Sequence, residues 1–228
     1  MRWTPGKVSR NIEDRRGSGF GGRGLAVGGG GMLILALVSM LLGVDLTGLA
    51  GGGAGPVPSA EQGGAIDETP EERERVLFVS TVLDSAQGMW AETLPRATGT
   101  QYRPATLVLF RDAVQSGCGA AQSAMGPFYC PLDEKVYIDL GFYDELAQRF
   151  GAPGDFAQAY VLAHEIGHHV QHVLGISDQV RRAQQGSPRE ANALSVRLEL
   201  QADCLAGVWA ATVPHMIEPG DLQEGLTA

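Results

Sequence analysis

His164 and His168 stand four residues apart with Glu165 between them, in the string His-Glu-Ile-Gly-His. Positions i and i+4 share one face of a helix, so both imidazoles can reach a single metal ion from consecutive turns. Glu165 is rotated off that face and lies beside the metal, where a general base for a metal-bound water has to be. Zinc suits nitrogen ligands of this kind and lowers the pKa of a bound water towards ~7. Two histidines leave a catalytic zinc one protein ligand short. A third histidine in the metzincin arrangement would need glycine and histidine where Gln171 and Leu174 stand, so that arrangement is excluded. His169 and His172 lie off the ligand face; with His215 they read as surface or core-edge residues. Glu199 and Asp203 share a face of a second helix. Glu199 is the expected third ligand. Asp203 is expected to orient a ligand histidine, His164, through its second ring nitrogen.

The elements that must position these groups are legible around them. Asp155 reads as the N-cap of the first metal-bearing helix, after Pro153-Gly154, and Gly175 ends it. Ser187-Pro188-Arg189-Glu190 reads as a capping box with proline at N1, opening a helix that runs to about Ala211. Upstream, Thr69-Pro70-Glu71-Glu72 starts a helix. Val76, Val79, Val82, Leu83, Ala86 and Trp90 give that helix one apolar face to about Leu94. Ala105 to Phe110 is a short apolar, branched run, and Phe128–Cys130 with Lys135–Leu140 flank a hairpin turn at Pro131–Glu134. Val136–Leu140 is the expected edge strand for substrate backbone. Candidate donors to an oxyanion are Tyr137, Tyr143, Tyr160 and His215. Gly220–Glu224 looks like the start of a further helix, so continuation past Ala228 is expected.

Composition divides the chain. Residues 1–24 hold Arg2, Lys7, Arg10, Arg15, Arg16 and Arg23 against Glu13 and Asp14, so the rest carries more than the whole net charge of −9. An acidic body repels phosphate and argues against nucleic acid. Leu25–Val44 is twenty residues without a charge, just enough to cross a bilayer. With a basic flank it reads as a single transmembrane helix, the N-terminus cytoplasmic and the body outside. A cleaved signal peptide is the competing reading. Much of the complement of 32 glycines falls in the first 64 residues. The expected layout is a basic cytoplasmic tail (1–24), a transmembrane helix (25–44), a Gly/Pro-rich linker (45–68) and a zinc metallopeptidase domain (69–228). Cys118 and Cys130 bracket a Gly-rich loop and could pair in an oxidising compartment, leaving Cys204 over.

Taken together, GPFYCP at 126–131, VYIDL at 136–140, GDFAQAY at 154–160, HEIGHHVQ at 164–171 and LSVRLELQADCLAGVWA at 194–210 resemble the neutral zinc metallopeptidase family of bacteria. The opening Met1-Arg2-Trp3 resembles it too. The resemblance implies a single-pass inner-membrane protein with an extracytoplasmic, gluzincin-like domain, in a family whose members usually continue beyond this chain's end. The expected fold is α+β: a zincin-like domain with a small antiparallel sheet and two metal-bearing helices. The expected activity is hydrolysis of peptide bonds in a peptide or protein substrate, with Zn2+ as cofactor. Two other readings are a degenerate zinc-binding scaffold on the membrane and a zinc amidase acting on cell-wall material.

Overall fold

A computed structural model describes residues 1–17, 66–150, 154–186 and 189–225. Over those residues the protein is α+β. Strands β1 (Ile12–Asp14), β2 (Thr106–Phe110), β6 (Lys135–Asp139) and β5 (Phe128–Cys130) form one mixed sheet in that order. A separate hairpin pairs β3 (Ala113–Ser116) with β4 (Gly119–Gln122). Among the described residues there are six helices: α1 (Pro70–Thr98), α2 (Phe142–Phe150), α3 (Asp155–Val173), α4 (Ile176–Gly186), α5 (Ala191–Thr212) and α6 (Asp221–Gly225).

Helix α1 begins where local chemistry dictates. The Thr69 hydroxyl accepts from the Glu72 N–H, the Glu72 carboxylate accepts from the Thr69 N–H, and Pro70 fills the first turn. Gly99, in a left-handed conformation at φ 76°, ends it. One face of α1 buries Val79, Val82, Leu83 and Ala86 completely against the sheet and against α3 and α5. Strand β2 is apolar and buried from Leu107 to Phe110, with both its faces covered. Leu107 and Leu109 enter that main core, while Val108 and Phe110 face a second cluster with Val114, Ala121, Cys130 and Tyr137. Cys118 and Cys130 are disulfide-bonded, tying the tip of the β3–β4 hairpin to the end of β5. Cys204 is free and exposed.

Several expectations are corrected. The sheet is mixed rather than antiparallel, because β1, β2 and β6 run parallel and only β5 reverses. Strand β6 is interior, between β2 and β5, so Val136–Leu140 is not an edge; β5 is. The fold does not start at Thr69. Residues 1–17 belong to it: β1 pairs with β2, Trp3 packs edge-on to Phe78 at 5.2 Å, and the Arg2 N–H donates to the Met216 carbonyl. Arg16 is buried and forks onto Asp14, with a further bond of 2.8 Å to Glu68. Those contacts are tertiary, and a three-residue strand inside a charged run carries no periodicity that would announce it. Gly154, not Asp155, caps α3; Asp155 is the first helical residue and holds the Met1 amine at 2.7 Å. Helix α5 opens at Ala191 after a Glu190 whose side chain makes no cap bond. Ser187 and Pro188 lie outside the described residues, as do Leu25–Val44. No helix among the described residues is long and apolar enough to cross a membrane.

Candidate metal centre and active-site cleft

Helix α3 carries His164, Glu165 and His168, and α5 carries Glu199 and Asp203. The two helices approach closely at Gly167. A Cβ there would lie 2.9 Å from the Ala202 carbonyl oxygen and 3.2 Å from Ala202 Cα. Only the missing side chain lets the backbones come together. That approach brings Glu199 and Asp203 over the histidine face.

The structure brings together His164, His168 and Glu199. His164 Nε2 and His168 Nε2 are 3.1 Å apart, and Glu199 Oε2 lies 3.3 Å from the first and 3.2 Å from the second. The protons on these rings are assigned by their other partners. His164 Nδ1 faces Asp203 Oδ1 at 2.8 Å. His168 Nδ1 faces Gln171 Oε1 at 2.9 Å. The Gln171 amide is oriented by its own donations to the Leu198 carbonyl and to Gln201 Oε1. In the neutral rings both Nδ1 atoms therefore donate, and both Nε2 atoms present lone pairs. Two lone pairs and a carboxylate oxygen crowd one point with no hydrogen between them, which is repulsive unless a cation sits there. In tetrahedral coordination at ~2.0–2.1 Å, ligand atoms stand about 3.3–3.4 Å apart, close to the observed triangle. These three residues fit a metal ion.

Glu165 lies beside this triangle and is nearly sealed from solvent, with 7 % of its surface exposed. Burial pushes its carboxyl up to about 7 and the Glu199 charge adds to that, while His168 and the Tyr129 backbone pull the other way. Glu199 itself is 57 % exposed and faces an open cleft. The cleft encloses about 380 Å³ between Phe128, Tyr129 and Pro131 on one side and Ser177, Leu198 and Glu199 on the other, with Glu165 and the two histidines at its base.

Of the four candidate oxyanion donors, none lines this cleft. Tyr137 is buried and donates to Asp133, Tyr143 is buried elsewhere in the core, and His215 is exposed on a turn. Tyr160 donates to Asp203 Oδ1 at 3.0 Å, behind His164. Three contributors were not singled out by the sequence. Gln171 was considered only as a departure from the metzincin pattern, yet it orients His168; its i+3 spacing from that ligand was the available signal. Tyr129 roofs the cleft from β5. His169 is fully buried rather than at the surface or the core edge, and burial pushes its imidazole down, towards the neutral form.

Over residues 1–228 the sequence matches the family described as "Putative neutral zinc metallopeptidase". The chain belongs to that family. This neutral zinc metallopeptidase family member is 47 % identical over 239 residues to the uncharacterized protein YpfJ of Escherichia coli K12, covering all of this chain and 82 % of YpfJ. It is also 42 % identical over 158 residues to the uncharacterized protein Mb2605 of Mycobacterium bovis, covering 64 % of this chain and 51 % of that protein. No solved structure matches it. The family description names zinc, and His164, His168 and Glu199 form a group that could hold a metal ion.

Proposed function

We propose that this protein is a zinc-dependent peptidase in which His164, His168 and Glu199 hold the metal and Glu165 handles the proton. The observation that carries the reading is the triangle of two imidazole nitrogens and a carboxylate oxygen within 3.3 Å of one another, beside a buried carboxyl. Zinc bound there would polarise a substrate carbonyl and acidify a water ligand. Asp203 and Gln171 hold the two imidazoles in the tautomer that leaves Nε2 free. Glu165, beside the donor triangle, would take a proton from the attacking water and return it to the amine as the carbon–nitrogen bond breaks. Strand β5 forms an edge of the sheet and lines the cleft, so an extended peptide can add to it as a further strand. That edge favours a peptide substrate over cell-wall material. The completeness of the donor set speaks against a degenerate scaffold.

We further propose that the domain works in an oxidising, extracytoplasmic compartment, which the Cys118–Cys130 bond supports. A cytoplasmic N-terminus does not suit that location. Strand β1 must share a compartment with β2 to pair with it, so residues 1–17 and the body belong on the same side of any membrane. Loss of residues 1–60 with a signal peptide would remove β1 as well.

The test is metal analysis of the purified protein with cleavage profiling of a proteome-derived peptide mixture by wild type and Glu165→Gln. Wild type should carry one equivalent of zinc and lose activity with a chelator. Glu165→Gln should keep the zinc and lose activity by a factor of about 10²–10⁴. Full activity in that variant would sink the mechanism.

A further inference from the structure

Glu165, His169 and His172 follow one another at i, i+4 and i+7, forming a second stripe along α3 that turns away from the ligand face and towards strand β5. Tyr129, on β5, meets this stripe twice. Its ring lines the cleft beside Glu165. Its hydroxyl lies 3.0 Å from His169 Nδ1. The other nitrogen of His169 lies 2.6 Å from the Arg103 carbonyl oxygen, which can only accept, so Nε2 carries the hydrogen. Nδ1 of the neutral ring is then the acceptor, and the Tyr129 hydroxyl is the donor. Tyr102 and Tyr129 pack edge-on to the imidazole at 5.5 and 5.3 Å and fix its plane.

We propose that His169 is a positioning residue of the active site: it clamps the Tyr129 hydroxyl and thereby holds the β5 wall of the cleft in a fixed relation to the helix that carries Glu165. His169 is fully buried and lies off the face that carries the metal donors; its hydrogen-bond contact with the cleft wall is the Tyr129 hydroxyl. The clamp crosses between layers. It joins the helix that carries the ligands to a three-residue strand at the sheet edge. With the clamp, the cleft roof and the base keep one fixed relation. Without it, β5 keeps its pairing with β6, the disulfide and the packing of its rings, but loses its one hydrogen bond from the Tyr129 hydroxyl to α3. Misplacement of a catalytic group by a fraction of an ångström lowers turnover more than binding.

The inference rests on Glu165 acting as the base, so its test has one arm with that dependence and one without. His169→Phe, Tyr129→Phe and the double variant are compared in the zinc-loaded full chain. Each single change should lower kcat by about 10- to 100-fold, move KM less than about threefold and leave the zinc content at one equivalent. The double variant should be no slower than the worse single, because both changes break one device. Hydrogen exchange at the Tyr129 amide should quicken at least tenfold in both singles, whether or not any peptide is cleaved. Tyr129→Phe keeps the ring and the core, and reads the clamp even if His169→Phe does not fold. Wild-type kcat in Tyr129→Phe, losses that multiply in the double variant, or unchanged exchange would overturn the clamp. A wild type that cleaves nothing but shows the exchange effect would overturn the peptidase reading and leave the clamp standing.

Discussion

Replacing Gly167 by alanine probes how the metal site is assembled. In an open helix interior, glycine to alanine stabilises by up to about 1 kcal/mol, because alanine loses less backbone freedom on folding. At position 167 the new methyl would sit 2.9 Å from the Ala202 carbonyl oxygen and 3.2 Å from Ala202 Cα. Both obstacles are backbone of α5, which cannot swing aside like a side chain. The helices must separate by roughly half an ångström, and overpacking of this kind costs about 1–3 kcal/mol. Glu199 and Asp203 flank Ala202 on α5, so the separation pulls the third metal donor and the His164 partner away together. If half the strain is released in the metal-free form, zinc affinity falls by about 0.5–1.5 kcal/mol, or roughly two- to tenfold. The assay is urea unfolding with and without zinc, paired with competitive zinc titration. Gly88→Ala and Gly207→Ala serve as controls, since nothing lies within 4 Å of a methyl at either position. They should be neutral or stabilising. A Gly167→Ala protein that unfolds and binds zinc like these controls would refute the close-approach reasoning.

Three further outcomes follow from the same geometry. Asp203→Asn keeps the shape but weakens the acceptor for His164 Nδ1, and should lower zinc affinity about 10- to 100-fold by titration with stability little changed. In the metal-free protein, Glu165 has its folded value raised from the ordinary 4.5 to about 7, so the native state holds a proton that the unfolded chain releases. Its stabilising contribution is complete below pH 4.5 and is lost as pH rises towards 7. Between pH 5 and 8, wild type should lose about 2–3 kcal/mol relative to Glu165→Gln in urea unfolding; parallel curves would refute it. The β1–β2 pairing is checked by labelling intact cells with a membrane-impermeant maleimide. Exposed Cys204 reports on the body, and Lys7→Cys in a Cys204→Ser background reports on the N-terminal segment. Both should react or both be shielded; opposite results would contradict the strand pairing.

By itself the sequence determined the parts whose physics is local. The His164–His168 spacing depends only on helical geometry, and the cap at Thr69–Glu72 depends on hydrogen bonds three residues long. The apolar run of β2 and the Pro131–Glu134 turn were legible for the same reason. The tertiary structure decided what depends on contacts between distant segments. Strand order made β5 the edge and β6 the interior, although both are short and apolar. Residues 1–17 entered the fold through a buried Arg16 and a three-residue parallel pairing, neither of which leaves a periodic trace. His169 passed for a surface or core-edge residue because burial is set by what packs across from a helix, here Tyr102 and Tyr129. The three donors of the metal triangle could be proposed from spacing. Their separations of 3.1–3.3 Å exist only because Gly167 lets two helices meet at Ala202.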